Sequence, residues 1–136
     1  MDAWRDKAGK GIVTGPDTGF RFRDGSRLSP NAAWYDEARW REAKKTLKPR
    51  QRFAVFAPDF VIEVRSPDDR IRRLREKKME EYIANGVKLA WLIDPMERNI
   101  TIYRSGRGPE VLQNLSTVSG EGPVAGFVLS LDRAFD

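Results

Sequence analysis

Two apolar segments on either side of a helical segment constrain the fold of this chain more than any other feature of its sequence. The first is Phe60–Val64 (FVIEV), and the second is Lys88–Asp94 (KLAWLID), whose almost continuous apolar character is typical of a strand covered on both faces. Between them, a Ser-Pro-Asp-Asp sequence from Ser66 predicts the start of a helix, and the Asn-Gly after Ala84 predicts its end. Strand, helix and strand within this length predict a right-handed βαβ unit with parallel strands.

Shorter elements flank this unit and favour an α/β fold. Asp36 offers an N-cap to a charged helix that reaches about Thr46. The segment ITIYR follows the turn DPMERN and predicts an antiparallel partner for the second strand, and the Asp-Gly within RFRDGSRL predicts a hairpin turn. The other predicted strands, of which the last two are expected to extend the sheet, are Gly11–Thr14, Asn31–Tyr35, Pro109–Asn114 and Gly126–Leu131.

Length and composition are those of one globular domain, which we assign to residues 1–136. The chain has 136 residues, of which 40% are hydrophobic and 33% charged, and it contains no internal repeat. Its apolar runs are far shorter than the roughly 20 residues that a membrane-spanning helix needs, and its charged start does not resemble a signal peptide. We therefore expect a cytoplasmic protein with no membrane partner.

The chain contains no cysteine and no histidine, which removes many kinds of site. Disulfides, thiol nucleophiles, zinc fingers and Ser-His-Asp triads are all excluded. Any hydrolysis would have to use carboxylates, a lysine and a hard cation that prefers oxygen ligands. The formal charge of +5 and the pI near 9.7 favour a polyanionic partner, although such an excess is also common in proteins that bind no nucleic acid.

Glu63 is an acid inside an apolar strand, and Lys78 is the basic residue expected to meet it. Strand alternation places Glu63 on one side of the sheet with Val61. At about 100° per residue, Lys78 falls within the apolar side of the following helix, as does Arg75, whereas Lys77 falls outside it. The apolar residues that define this side are Ile71, Leu74, Met79, Tyr82 and Ile83.

A purely structural interpretation of these charges stays open. A buried carboxylate or ammonium normally needs a partner, so Glu63 and Lys78 are expected to be close, either as a structural ion pair or as part of a catalytic site. Lys78 could also extend its amine to the surface along its alkyl stem. Asp59 lies four residues before Glu63, about 13 Å away along a strand, which is too far to share a cation with it. We therefore assign Asp59 to opening the strand after a proline.

Two segments of the sequence resemble a known family. SPNAAWYDEARW, followed by the stretch from FAPDFVIEVRSPDD through KKMEEYIANGVKLAWLIDP to ITIYR, resembles the Uma2 family of putative bacterial restriction endonucleases in the PD-(D/E)XK nuclease superfamily. The resemblance runs from about Gly11 to the end of the chain. It implies a restriction-endonuclease-like mixed sheet with a βαβ core and flanking helices.

The resemblance also implies a site for DNA hydrolysis. The superfamily uses two acids on adjacent strands and a lysine to bind Mg²⁺ (or Mn²⁺) and activate water for phosphodiester cleavage. By position, the acid of the EXK strand is Glu63, the usual lysine position there is Arg65, and the lysine moves to the next helix at Lys78. The acid of the other strand falls on Asn31, so the implied catalytic residues are Glu63, Lys78 and Asn31, with Glu63 and Asn31 as the metal ligands.

Two departures from the family pattern weaken the expected chemistry. Asn31 offers a neutral carbonyl oxygen without the charge of a carboxylate, so the affinity for the metal should fall. The chain is also expected to lack the usual N-terminal helix region, together with any glutamate which that helix supplies. The sequence therefore leaves open whether this chain is an active enzyme.

A basic segment near the middle of the chain is the expected DNA-facing surface. KKTLKPRQR contains no acid, and neutralising phosphates with such side chains drives non-specific binding to DNA. The basic stretch RIRRLREKK has an interleaved acid and is at least as typical of a solvated helix face. The residues predicted to contact DNA are Lys44, Lys45, Lys48, Arg50 and Arg52.

Two function classes therefore remain. The first is a Mg²⁺-dependent DNA endonuclease in which Glu63 holds the metal, Asn31 assists weakly, and Lys78 orients or deprotonates the attacking water. The second is a catalytically silent, truncated or degenerate DNA-binding relative of the same fold. The sequence also leaves a homodimer open.

Overall fold

A six-stranded mixed sheet, in the order β1-β4-β5-β6-β7-β8, forms the centre of the fold in a computed structural model that describes residues 11–50, 54–67 and 72–135. The strands are β1 Gly11–Thr14, β2 Phe20–Arg21, β3 Arg27–Leu28, β4 Ala32–Asp36, β5 Phe60–Val64, β6 Leu89–Asp94, β7 Asn99–Arg104, β8 Glu110–Gln113, β9 Thr117–Ser119 and β10 Val128–Ser130. The helices are α1 Glu37–Lys45, α2 Arg72–Ala84 and α3 Leu131–Phe135, with a short 3-10 turn at Gly122–Val124.

The predicted parallel strands and the helix that connects them are confirmed. Strands β5 and β6 are parallel, with Glu63 beside Leu92 in the register, and α2 connects them. Every other neighbouring pair in this sheet is antiparallel. Helix α2 ends as predicted, because Gly86 adopts a φ of +103° that few other residues tolerate. The predicted start of this helix falls partly on residues 68–71, which lie outside the described ranges.

Helix α1 begins where the sequence predicts. The carboxylate of Asp36 accepts hydrogen bonds from the backbone N–H groups of Ala38 at 2.7 Å and Arg39 at 3.3 Å, which satisfies donors that the first helical turn leaves unpaired. The helix ends at Lys45, within one residue of the predicted end.

One face of the sheet packs against α2. Val61 from β5 lies in the same buried cluster as Met79 and Tyr82 from this helix, so the alternation of β5 directs Val61 and Glu63 toward α2. Phe22 from the loop after β2 meets Tyr82 edge to face, with ring centroids 5.9 Å apart. The predicted acid, on this face of the sheet, and the predicted lysine, on α2, therefore lie at the same interface.

The opposite face of the sheet packs against a C-terminal two-stranded ribbon that β9 and β10 form. Trp91 from β6 contacts Phe60 from β5, with centroids 4.8 Å apart, and stacks on Phe127 at 5.9 Å. The prediction that Gly126–Leu131 extends the central sheet is wrong, because β10 pairs with β9 in a separate two-stranded ribbon. The burial of Phe127 and Leu131 explains the difference, since these side chains cover the sheet face instead of lengthening its edge.

Trp34 and Trp91 are buried, and Trp40 packs against the core from α1, so all three contribute to the core. Among the described residues, no helix combines the length and apolar character that crossing a lipid bilayer requires.

Candidate functional site

Glu63 lies near the end of β5 with only 1% of its surface exposed. Its strand is central, with β4 on one side and β6 on the other, so the backbone around it is fixed by two ladders. A carboxylate buried to this degree loses its hydration and requires compensation by hydrogen bonds and opposite charge.

Three groups from two parts of the chain provide that compensation. Oε1 of Glu63 accepts a hydrogen bond from the backbone N–H of Asn31 at 2.8 Å. Oε2 accepts from Nζ of Lys78 at 2.9 Å and from the guanidinium of Arg75. The structure therefore brings together the acid, the lysine and the asparagine that the sequence predicted for one site, and it adds an arginine.

Helical spacing explains why both cations reach the same acid. Arg75, Lys78 and Tyr82 follow one another at intervals of three and four residues, which places them on one side of α2. The apolar residue Met79 beside them is fully buried and fixes this side against the sheet. The sequence had placed Lys78 and Arg75 on this side, and the exposure of Lys77 also agrees with it.

The hydroxyl of Tyr82 is buried beside this cluster and has no hydrogen-bond partner within the described part of the chain. Burial raises the pKa of Tyr82, and the negative charge of Glu63 raises it further, while the charge of Arg75 opposes the shift. Tyr82 is therefore a neutral phenol near the charged groups.

Asn31 is fastened to β5 through both its backbone and its side chain. Its N–H donates to Glu63, and its side-chain Oδ1 accepts a hydrogen bond from the backbone N–H of Val64 at 2.9 Å. Asn31 lies immediately before β4, so these bonds continue the antiparallel ladder in which Ala32 pairs with Ile62. The amide oxygen thus serves the backbone of β5 and is only partly available to another ligand.

These residues do not fit a divalent cation in the arrangement seen. The donor set contains one carboxylate and one neutral amide oxygen, whereas Mg²⁺ favours carboxylates in an octahedral oxygen shell. The two cations on Glu63 outweigh its single negative charge, and the Tyr82 hydroxyl adds no charge. Among the residues that the structure describes, no group of three or more acidic side chains could hold a metal. The predicted Mg²⁺ or Mn²⁺ stays a prediction.

Asp59 forms a separate cluster at the other end of β5. Its carboxylate, which is 2% exposed, accepts from the backbone N–H of Asp36 at 2.9 Å and pairs with Arg39 at 2.8 Å and Lys88 at 3.3 Å. These contacts tie the start of α1 and the approach to β6 to the start of β5. They give Asp59 a structural role beyond opening the strand, and its partners differ from those of Glu63.

Arg65 contacts a different acid from Glu63. Its guanidinium pairs with the buried carboxylate of Asp94 at 3.0 Å, and the same carboxylate accepts from the backbone N–H groups of Met96 and Glu97 at 3.0 and 3.1 Å. Arg65 therefore joins the end of β5 to the turn after β6. The residue that the resemblance implied for the usual lysine position therefore has a structural contact in this protein.

The predicted DNA-facing residues lie at and beyond the end of α1. Lys44, Lys45, Lys48 and Arg50 are exposed, while Arg52 lies outside the described residues. Lys45 pairs with Glu42 at 2.8 Å, and the amine of Lys44 lies 5.7 Å from the centre of the Trp40 ring. Both contacts are at the surface and leave the amines accessible to solvent, so the contact of these residues with DNA stays a prediction.

Sequence reasoning missed the position of Arg75 on the acid and the orphaned hydroxyl of Tyr82. The helical period had placed Arg75 on the sheet-facing side, which was the available signal. Periodicity defines a side of a helix, but it does not say which of two neighbouring cations reaches a particular carboxylate.

Comparisons with known proteins identify the family and support the fold. The sequence model of Uma2, described as "Putative restriction endonuclease", matches residues 1–132. The structure superposes with a TM-score of 0.76 on the crystal structure of a putative nuclease belonging to DUF820 from Anabaena variabilis, with 20% sequence identity, covering 98% of this chain and 73% of that one. At this identity the likeness shows a shared fold. No curated protein matches this sequence.

Proposed function

Because this chain belongs to the Uma2 family, whose description is "Putative restriction endonuclease", we propose that it binds DNA with a nuclease fold but does not cleave it with the site as built. A nuclease-like class follows from the family. The silence of the site is our inference from one observation, namely that Arg75 and Lys78 both bind the same oxygen of Glu63.

Hydrolysis of a phosphodiester needs a positioned water and stabilisation of the charge that develops on the phosphate. In the superfamily the acids supply this through a bound cation. Here both oxygens of Glu63 accept hydrogen bonds, from Asn31 on one side and from Lys78 and Arg75 on the other. The acid is therefore committed to internal partners, and the neutral side chain at position 31 does not replace its charge.

The positive balance around Glu63 supports an anionic ligand. Two cations against one carboxylate leave a net charge of about +1 at the site, counted from the ion pairs. Lys78 and Arg75 are 26% and 17% exposed, so both reach solvent at their edges. A DNA phosphate next to them would gain charge-assisted hydrogen bonds without a metal.

A second candidate is the metal-dependent endonuclease that the sequence predicts. The distance of 2.9 Å between Lys78 and Glu63 favours it, because the superfamily uses an acid and an amine at one site. In that case Mg²⁺ or Mn²⁺ would be required, and Glu63 would have to exchange a side-chain partner for the ion.

A plasmid assay separates the two candidates. Supercoiled DNA is incubated with the full chain and Mg²⁺ or Mn²⁺, beside Glu63→Ala and Asn31→Asp variants. We expect wild-type protein to nick no more plasmid than Glu63→Ala, and any gain of nicking to require Asn31→Asp. Cleavage by wild type that Glu63→Ala abolishes would refute the silent site and establish the second candidate.

DNA binding is measured in parallel, because a silent protein that does not bind DNA would also refute the proposal. Fluorescence anisotropy with a labelled duplex at low salt provides this measurement. We expect saturable binding whose affinity falls as salt rises.

A further inference from the structure

Arg75 is the cation that distinguishes this site from a simple acid–lysine pair. Its guanidinium binds Oε2 of Glu63, the oxygen that Lys78 also contacts, and only 17% of the arginine side chain is exposed. Because a guanidinium keeps its charge at any pH that the fold survives, this neutralisation is permanent as long as the contact lasts.

We propose that Arg75 is the resident cation of the site, that it takes the place at Glu63 which a divalent ion would need, and that it thereby excludes such an ion. This inference deepens the proposed function and rests on its assignment of Glu63 as the acidic position of the family. A divalent ion brought to Glu63 would have to displace the guanidinium or lie against it at a distance where like charges repel strongly.

The neutral residue at position 31 makes this arrangement self-consistent. Among the residues that the structure describes, the site with Asn31 contains one negative and two positive side chains, so these residues offer a third cation no unmatched carboxylate. Replacing Asn31 by aspartate would balance the two cations, and only removal of Arg75 as well would leave negative charge in excess. The exclusion of metal therefore depends on both positions together.

Among the described residues, the other two buried acids are also paired with arginine, so the alternative is that Arg75 has only a structural role. Asp94 is paired with Arg65 and Asp59 with Arg39. Each of those acids accepts backbone N–H groups at a turn or helix start, which explains its burial structurally. Glu63 differs because two basic side chains from one helix converge on a single oxygen.

Calorimetric titration of Mn²⁺ into the full chain, without DNA, tests the proposal. The proteins are wild type, Asn31→Asp, Arg75→Gln and the double variant Asn31→Asp with Arg75→Gln. We expect no detectable Mn²⁺ binding by wild type. The double variant should bind Mn²⁺ more tightly than Asn31→Asp by roughly tenfold or more, because the positive charge of Arg75 near the ligands is gone.

A matched arginine provides the control. Arg65→Gln in the Asn31→Asp background removes an arginine of similar exposure, 19% against 17%, that neutralises a different buried acid. We expect it to leave Mn²⁺ affinity within about twofold of Asn31→Asp, since its partner is Asp94. Equal gains from the Arg65 and Arg75 variants would refute a specific role for Arg75.

Folding of each variant is checked by circular dichroism, because loss of Arg75 also removes a partner of a buried acid. If Arg75→Gln does not fold, Arg75→Lys in the Asn31→Asp background keeps the charge on a compact ammonium and is expected to bind Mn²⁺ no more tightly than Asn31→Asp. Two results would overturn the proposal. One is tighter Mn²⁺ binding by Asn31→Asp with Arg75→Lys than by Asn31→Asp alone. The other is an unchanged Mn²⁺ affinity in a folded double variant with Arg75→Gln.

The two proposals fail in different experiments. Plasmid cleavage by wild type would refute the silent site, whatever the metal titration shows. Unchanged Mn²⁺ affinity in the double variant would refute the role of Arg75, even if wild type is inactive and binds DNA.

Discussion

A single buried carboxylate shows how much local chemistry one side chain can require. Glu63 sits between apolar neighbours in β5, and its charge is tolerated because an N–H, an ammonium and a guanidinium reach it. Breaking a buried pair by removing one partner commonly costs about 3–5 kcal/mol, because the remaining charge is left uncompensated. With two cations present, loss of either one leaves the other, so we expect each single loss to cost less than this.

The orphaned hydroxyl of Tyr82 provides a prediction at the same scale. An unsatisfied buried polar group is unfavourable, so Tyr82→Phe should leave the free energy of unfolding at neutral pH unchanged or raise it by up to about 1 kcal/mol. Because burial and the charge of Glu63 raise the pKa of Tyr82, the native protein keeps the phenol protonated while the unfolded chain ionises. Ionisation of Tyr82 therefore does not affect the free energy of unfolding below about pH 10, and it lowers that free energy as the pH rises above this value.

Urea unfolding of wild type and Tyr82→Phe between neutral and alkaline pH measures both effects. The variant should lose less stability than wild type above about pH 10. Tyr35→Phe is the control. Burial alone raises the pKa of Tyr35, with no carboxylate adding to it, so its effect on stability at alkaline pH should be smaller than that of Tyr82→Phe. A clear loss of stability in Tyr82→Phe at neutral pH would mean that the hydroxyl has a favourable contact.

At the scale of elements, each of the first two helices is fastened to β5 by a different acid. Asp59 accepts from the N–H of Asp36, the residue that caps α1, and pairs with Arg39 in the first turn of that helix. Glu63 binds Arg75 and Lys78 of α2. Asp59, just before this strand, and Glu63, within it, therefore position the two helices.

Asp59→Asn is expected to lower the free energy of unfolding by about 2 kcal/mol, less than a fully buried pair would, because its partner Arg39 is 39% exposed. Chemical denaturation checks the value. Lys88→Met is the matched control, since Lys88 contacts the same carboxylate at 3.3 Å with 59% exposure and should cost under about 0.5 kcal/mol. A larger effect for Lys88 than for Asp59 would contradict the assigned anchor.

The sequence predicted those elements whose signals are local. The Asp36 cap, the Asn-Gly stop and the apolar run of β6 each fix an element without reference to distant residues. The position of β10 was not predictable in this way, because an apolar strand pattern does not specify its partner. Likewise, the convergence of Glu63 and Lys78 followed from two periodicities, whereas the contact of Arg75 with the same oxygen depends on side-chain conformation.

At the scale of the whole molecule, the formal net charge is +5, and a basic cluster lies at the end of α1. If this cluster contacts DNA, replacing Lys44, Lys45 and Lys48 by glutamine should weaken binding. It should also reduce the steepness of log affinity against log salt by about 0.9 for each phosphate that the protein no longer neutralises. Anisotropy titrations over a range of salt concentrations measure both quantities.

An equal change of charge elsewhere is the control for this prediction. Lys77, Arg98 and Arg107 are also exposed, and replacing them by glutamine likewise lowers the formal charge from +5 to +2. Equal losses of affinity in the two triple variants would show that overall charge, and no particular surface, drives binding.

The attachment of both helices to β5 has a consequence for how this fold tolerates change. The extended backbone between Asp59 and Glu63 fixes the distance between the points at which the two helices are attached. The connecting segment between α1 and β5 does not set that spacing. Insertions at its exposed residues 48–50 should therefore leave the spacing of the two anchors unchanged.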